Sequence, residues 1–242
     1  MNMKSVKFKV FRYDPAVDKS PHFDIFEVPL SPLMSVLEGL YYIRENIDGS
    51  LAFRSACRAG VCGSCGMHIN GKYRLACETQ VKALNTTSVV IRPLSHYPIV
   101  RDLFINMDSF WKKYRLIKPF LMPGTPSPDM ERPQSPDQRG KLDGLYECIL
   151  CLVCMGSCPV LETNPNYLGP AILLKVDRFF QDSRDAADDD RLNIVAGNNG
   201  VFRCRTVFNC QMCPKSLDPT GSIANLKRSL VKRQFSISRL FS

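Results

Sequence analysis

Eleven cysteines fall into three tight groups, and nothing else in the 242 residues restricts the fold so strongly. The groups are Cys57-x4-Cys62-x2-Cys65 followed by Cys77, then Cys148-x2-Cys151-x2-Cys154-x3-Cys158-Pro159, then Cys204-x5-Cys210-x2-Cys213-Pro214. An odd number of thiols cannot all pair within one chain. The opening MNMKSVKFKV is charged and alternating, with no apolar signal segment. A reducing compartment is expected, where clustered thiols hold metal instead of forming disulfides.

Each group carries its own chemistry. The spacing of the first is that of plant-type 2Fe–2S proteins, with a tight loop supplying three thiolates and Cys77, after a hairpin, the fourth. Gly60, Gly63 and Gly66 would let backbone N–H groups reach the sulfurs and favour the more negative reduced state, and Arg54 and Arg58 would act in the same sense. Zinc is the alternative, but x4 spacing with this glycine content is unusual for a zinc knuckle. The second group is the bacterial ferredoxin run: Cys148, Cys151 and Cys154 take three corners of a 4Fe–4S cube, and the cysteine before proline serves another cluster. In the third group Val207 stands where the middle cysteine of C-x2-C-x2-C belongs. A corner without thiolate does not hold iron, so a 3Fe–4S centre is expected on Cys158, Cys204 and Cys210. Cys213 then completes the 4Fe–4S set, and four, four and three account for all eleven thiols.

The rest of the pattern divides the chain into a ferredoxin-like unit over 1–100, a helix and Pro-rich connector over 101–140, and a helical unit over 141–242. VKFKVFRYD and FDIFEVPL alternate as strands. SPLMSVLEGLYYIREN predicts a helix capped by Ser31 with Pro32 in its first turn, burying Leu33, Val36, Leu37, Leu40 and Ile43. Asn70-Gly71 marks a hairpin in GMHINGKYRLAC, and TTSVVIRPL a closing strand. RDLFINMDSFWKKYRLIK reads as a helix carrying Trp111 as a packing residue. Six prolines make residues 119–141 an extended connector. DGLYECILCLVC, LGPAILLKVDRFFQDSRD and TGSIANLKRSLVKRQ read as helical, and DSRDAADDDR as a solvated acidic loop. His22, His68 and His96 have no ligand-like spacing.

No stretch reads as a membrane span, since ILCLVCMGSCPVL is short and interrupted. The net charge of +9 admits nucleic acid, anionic lipid or an acidic partner. The last 17 residues hold five bases and no acid, which fits either an exposed helix end or a membrane-surface contact. A zinc-stapled nucleic-acid-binding protein is disfavoured by the echoed Cys-Pro runs and the lack of an aromatic-basic stripe. No nucleic-acid partner is expected.

With the three groups in place, the chain resembles the iron–sulfur subunits of succinate dehydrogenase and fumarate reductase. The likeness runs nearly end to end, through RSACRAGVCGSCGMHINGKYRLAC, YECILCLVCMGSCP, GPAILLKVDRFFQDSRD and FRCRTVFNCQMCPKSLDPTGSI. It implies an α+β protein: an N-terminal β-grasp, plant-type 2Fe–2S ferredoxin-like domain, then an α-helical bacterial-ferredoxin-like domain. It implies an FAD-containing flavoprotein partner and a membrane anchor, often with haem, that helps form a quinone site. The chain itself would carry electrons from reduced FAD through 2Fe–2S, 4Fe–4S and 3Fe–4S centres to quinone, with no substrate chemistry of its own. Fumarate reduction, or service to another flavoenzyme, is the alternative.

Two departures from the family pattern stand out. Cys210 and Cys213 are separated by two residues where relatives usually have three. Ubiquinone-using relatives often place a tryptophan and a histidine where this chain has Thr163 and Arg205. Menaquinone is therefore favoured, with Pro159, Val160 and Arg205 as pocket-lining candidates. The resemblance and the missing transit peptide point to the cytoplasmic face of a prokaryotic inner membrane, or to the matrix face for a mature organellar chain.

Overall fold

A computed structural model describes residues 5–126 and 128–238. The chain divides into two units, one running to Met107 and including Ile149–Ser157, the other made of Asp108–Cys148 and the residues from Cys158 onward.

The first unit is built on a mixed five-stranded sheet. Its strands are β1 (Ser5–Arg12), β2 (His22–Pro29), β3 (Gly66–Ile69), β4 (Lys72–Leu75) and β5 (Ser88–Arg92), in the order β2-β1-β5-β3-β4. β1 and β5 are parallel at the centre and the other pairs antiparallel. With α1 (Val36–Asn46) added, this is the expected β-grasp arrangement. Strict alternation in β1 sends Val6, Phe8 and Val10 into the core, where Leu37, Leu40 and Ile43 of α1 are also buried. Each such side chain contributes roughly 2 kcal/mol through apolar burial. The hairpin at Asn70-Gly71 forms as expected, both residues taking positive φ (45° and 79°) as a type I′ turn demands.

Two details of this unit differ from expectation. α1 begins at Val36, and its cap is Ser35, not Ser31: the Ser35 hydroxyl accepts from the Glu38 amide while the Glu38 carboxylate accepts from the Ser35 amide. That reciprocal pair satisfies two free donors at once, so Pro32 and Leu33 stay outside the helix and Leu33 is 77% exposed. Residues 99–105 are not helical. They form a second hairpin, β6 (Ile99–Arg101) and β7 (Phe104–Ile105), before α2 (Asp108–Leu116). On α2, Trp111 is half-buried against Phe110 and Tyr114.

The inward register of β1 ends on a charge, Arg12. Its guanidinium donates to Asp102 (3.1 Å), Asp24 (3.0 Å), Asp48 (2.5 Å) and the Ser50 hydroxyl (2.8 Å). Asp102, at the β6–β7 turn, also accepts from the amides of Tyr13 and Ala52. The Ser50 hydroxyl, and then Arg12, hold the Asp48 carboxyl down to about 2. One buried cation thus joins β1, β2, the end of α1 and the second hairpin.

The other helices are α3 (Pro136–Gly140), α4 (Val153–Gly156), α5 (Pro159–Thr163), α6 (Pro170–Phe180), α7 (Asp188–Ala196) and α8 (Pro219–Ser238). α4 belongs to the first unit and packs on β4, with the Tyr73 ring and Leu94 against Gly156. α6, α7 and α8 form the body of the second, tied by Asn225 on α8 donating to Asp177 on α6 (2.7 Å). Residues 143–147 are turns and 148–152 are irregular, not helix, with positive φ at Gly144, Leu150 and Leu152. The acidic stretch 182–191 is not a solvated loop either. Asp182 is buried and paired with Arg178 and Arg184, and α7 starts within the run. Arg191, fully buried, pairs with Asp185 and donates to the carbonyls of Ile117, Lys118 and Phe120. It thereby fastens the start of the Pro-rich connector, which is irregular up to α3. The basic tail is partly turned inward: Lys227 donates to the Cys204 carbonyl and Arg233 pairs with Asp189. Residues 239–242 lie outside the described part.

Replacing Arg12 with methionine should be costly, because Asp102 remains buried without its cation. A loss of about 3–5 kcal/mol is expected, measured as a fall in the urea midpoint at neutral pH, with Asp24→Asn costing far less because that partner is 41% exposed.

Candidate metal centres

No disulfide joins any of the eleven cysteines. The first group lies on the loop between α1 and β3, and Cys77 follows β4. The loop turns its amides toward sulfur. Ala59, Val61 and Cys62 donate to Cys57 Sγ (3.4, 3.3 and 3.2 Å), Cys57 to Cys62 Sγ (3.4 Å), and Gly60 to Cys77 Sγ (3.3 Å). Five donors on three sulfurs suit anionic ligands, and Cys65 neighbours Cys77. Positive φ at Arg58, Gly60 and Gly63 makes this possible. Partial burial opposes ionisation of Cys62, yet hydrogen bonds from Cys57 and Ser64 outweigh it and bring the thiol to about 6. Burial, reinforced by the neighbouring Cys77, pushes Cys65 up to about 12. Coordination at Cys65 therefore releases a proton. Arg58 lies with its guanidinium 4.2 Å from the Tyr41 ring centre, and Arg54 is 5.6 Å from that of Phe104.

The second group is divided between the units. Cys151 and Cys154 are buried in the first, whereas Cys148, Cys158 and Cys213 belong to the second. Cys151 lies beside the cysteine loop: a Cβ on Gly63 would fall 2.7 Å from the Ile149 carbonyl and 2.9 Å from Cys151 Cα. Tyr97 has a buried hydroxyl without a hydrogen-bond partner, and burial, then Cys154, raises its pKa.

The third group and Cys158 close on one cavity in the second unit. Cys158, Cys204 and Cys210 line it together with Pro159, Val160, Tyr167, Arg205, Val207 and Phe208. Burial, then the neighbouring thiols, raises the pKa of both Cys158 and Cys210. Cys210 Sγ also lies 3.1 Å from the Thr220 hydroxyl at the start of α8. Thr206 and Phe208 take positive φ, and a 3₁₀ turn carries Cys210, which gives the short segment to Cys213 its local shape. Val207 and Phe208 on the cavity lining are about half exposed, beside the exposed Arg205, Thr206 and Asn209. Pro159, Val160 and Arg205 are brought to this cavity, whereas Thr163 is exposed and bonds back to the Val160 carbonyl. Tyr167 and Thr220 were not singled out from sequence; the only signals were a tyrosine before Gly-Pro and a threonine after Asp-Pro.

Among the described residues, no three His, Cys, Asp or Glu side chains are arranged to hold a single metal ion. The donor sets suit clusters, whose thiolates are distributed over several irons instead of converging on one.

Known families match both halves. Residues 7–112 match the 2Fe-2S iron-sulfur cluster binding domain, and residues 144–217 the 4Fe-4S dicluster domain. A β-grasp cysteine loop joined to a dicluster domain makes this an electron-transferring iron–sulfur protein. The chain is 43% identical over 229 residues to the succinate dehydrogenase iron-sulfur subunit of Coxiella burnetii, covering 93% of this chain and 97% of that protein. It is 40% identical to the corresponding subunit of Paracoccus denitrificans, covering 94% and 88%. Its fold matches a chain of the Mycobacterium smegmatis Sdh1 complex in the apo form, with a TM-score of 0.88 at 24% identity, over 96% of this chain and 98% of that one. The chain belongs to the family of succinate dehydrogenase iron–sulfur subunits. No helix among the described residues is long and apolar enough to cross a membrane.

Alanine at Gly63 and at Gly60 should behave differently. Both positions carry the left-handed strain of roughly 1–2 kcal/mol, but at Gly60 the new Cβ meets only the movable Glu78 carboxylate, while at Gly63 it meets backbone. Gly63→Ala is expected to lose most of the first centre and Gly60→Ala to keep it, read as acid-labile sulfide per chain and the amplitude of the 2Fe–2S EPR signal.

Proposed function

We propose that the chain holds three clusters and joins a flavoprotein to a membrane quinone site. Cys57, Cys62, Cys65 and Cys77 hold the 2Fe–2S centre within the domain 1–100. By the spacing of the ferredoxin run, Cys148, Cys151, Cys154 and Cys213 are the 4Fe–4S ligands. Cys158, Cys204 and Cys210 hold the 3Fe–4S centre within 141–242, with 101–140 as the connector. The observation that carries this reading is the cavity where three thiols converge and Val207 takes the place of a fourth.

When bound, the clusters supply single-electron redox chemistry, which lets a two-electron flavin be oxidised stepwise. The protein's own residues set how readily each site accepts charge. Five amides around the first thiols favour added negative charge. Around the third site, the Thr220 hydroxyl is in position to do the same for Cys210.

The partners are an FAD-containing subunit, which oxidises succinate, and a membrane anchor, which carries any haem. The half-exposed Val207 and Phe208 support docking of the anchor and its quinone at this cavity, with Pro159, Val160 and Arg205 beside them. Menaquinone is our reading of the quinone, since Thr163 and Arg205 do not reproduce the aromatic and imidazole set. The names of relatives from Dictyostelium discoideum and rice specify ubiquinone, so both quinones belong in the assay. The chain lies on the membrane at the cytoplasmic face.

An EPR redox titration of the complex purified with its partner subunits should reveal three distinct centres, each with its own midpoint. Val207→Cys should add the missing ligand, converting the 3Fe–4S signal to that of a lower-potential 4Fe–4S centre and slowing quinone reduction. An unaltered spectrum with unaltered turnover would contradict the assignment.

A further inference from the structure

We infer that the Tyr167 hydroxyl donates a hydrogen bond to sulfur of the centre held by Cys158, Cys204 and Cys210, and so raises that centre's midpoint potential. This rests on the three-thiolate reading above. It adds a positioning and tuning role for a residue that is not a ligand.

Tyr167 is fully buried and lines the cavity those three thiols bound. Its hydroxyl is inaccessible to solvent and has no hydrogen-bond partner. Leaving a buried hydroxyl unpaired costs about 1–3 kcal/mol, which a mere packing residue would avoid by being phenylalanine. The ring is not free to seek a partner elsewhere. The Tyr167 amide donates to Asn164, its carbonyl accepts from Lys113 (3.0 Å), and the next amide donates to Asn199 (2.9 Å). The segment is thus pinned on both sides as it enters α6.

What the hydroxyl can meet is restricted by the walls. Pro159, Val160, Pro170 and Ile223 offer the cavity no side-chain acceptor. The Thr220 hydroxyl is already paired with Cys210. Thr206 and Asn209 also line the cavity, but the Tyr167 hydroxyl bonds neither, and thiolate or sulfide is the strongest acceptor the site offers. A phenol is protonated at neutral pH and can serve as a hydrogen-bond donor. The Cys204 thiol lies within hydrogen-bonding reach of the phenol, although the strict geometry of a hydrogen bond is not met, so the hydroxyl is directed at the sulfur side of this cavity. Donation to sulfur favours the more negative, reduced state, which sets the sign.

The test is Tyr167→Phe in the intact complex, which keeps the ring and removes one oxygen. EPR-monitored titration should show the 3Fe–4S midpoint moved to more negative potential, with the other two centres unchanged. Pulsed EPR in D₂O should show loss of one exchangeable proton coupling from that signal. An unchanged midpoint, whatever the signal amplitude, would overturn the inference. Absence of any 3Fe–4S signal in the unaltered complex would instead overturn the reading beneath it.

Discussion

Amide hydrogens directed at sulfur are the interaction on which the first unit depends. A loop of non-regular backbone can keep five N–H groups trained on three thiols only if its ends are held firmly. The central parallel pair β1–β5 and the helix α1 provide that frame. Positive φ at Arg58, Gly60 and Gly63 then curls the chain inward, so that donors and not carbonyls face the ligands. A carbonyl in the same place would repel thiolate. The glycine content of CRAGVCGSCG is therefore an electrostatic requirement as much as a steric one.

The second unit meets a similar demand with buried polar anchors. Asp177 joins α6 to α8 through Asn225, Arg191 binds three carbonyls of the connector, and Asp182 collects two arginines. Each is costly to bury alone and stable only when fully partnered. The result is that Thr220 at the head of α8 and Tyr167 at the foot of α6 are delivered to one cavity. Neither is close to the other in sequence; Thr220 meets Cys210, and Tyr167 lies beside Cys204.

Family membership and this geometry fit together at the level of chemistry. The chain offers cysteine sulfurs and N–H donors directed at them. That suits a subunit that carries electrons for succinate dehydrogenase. The half-exposed Val207 and Phe208 beside Cys204 and Cys210 are natural where a partner covers them.

Cysteine spacing, strand alternation and the Asn70-Gly71 turn were legible from sequence because each is a local rule: bond geometry over a few residues decides it. The same reasoning went wrong where two local signals competed. Ser31-Pro32 looked like a helix start, but the reciprocal Ser35–Glu38 pair satisfied more donors. Residues 143–152 had helical composition, yet they form turns and irregular backbone, with positive φ at Leu150 and Leu152. The acidic run at 182–191 looked solvated because its arginine partners are identified only by folding. Sequence alone determined which thiols exist and how they are grouped, since covalent spacing cannot change on folding. Tertiary structure alone decided that Arg12 meets three carboxylates and that Tyr167 comes to lie beside Cys204, because long-range burial, not neighbourhood in the chain, selects those partners.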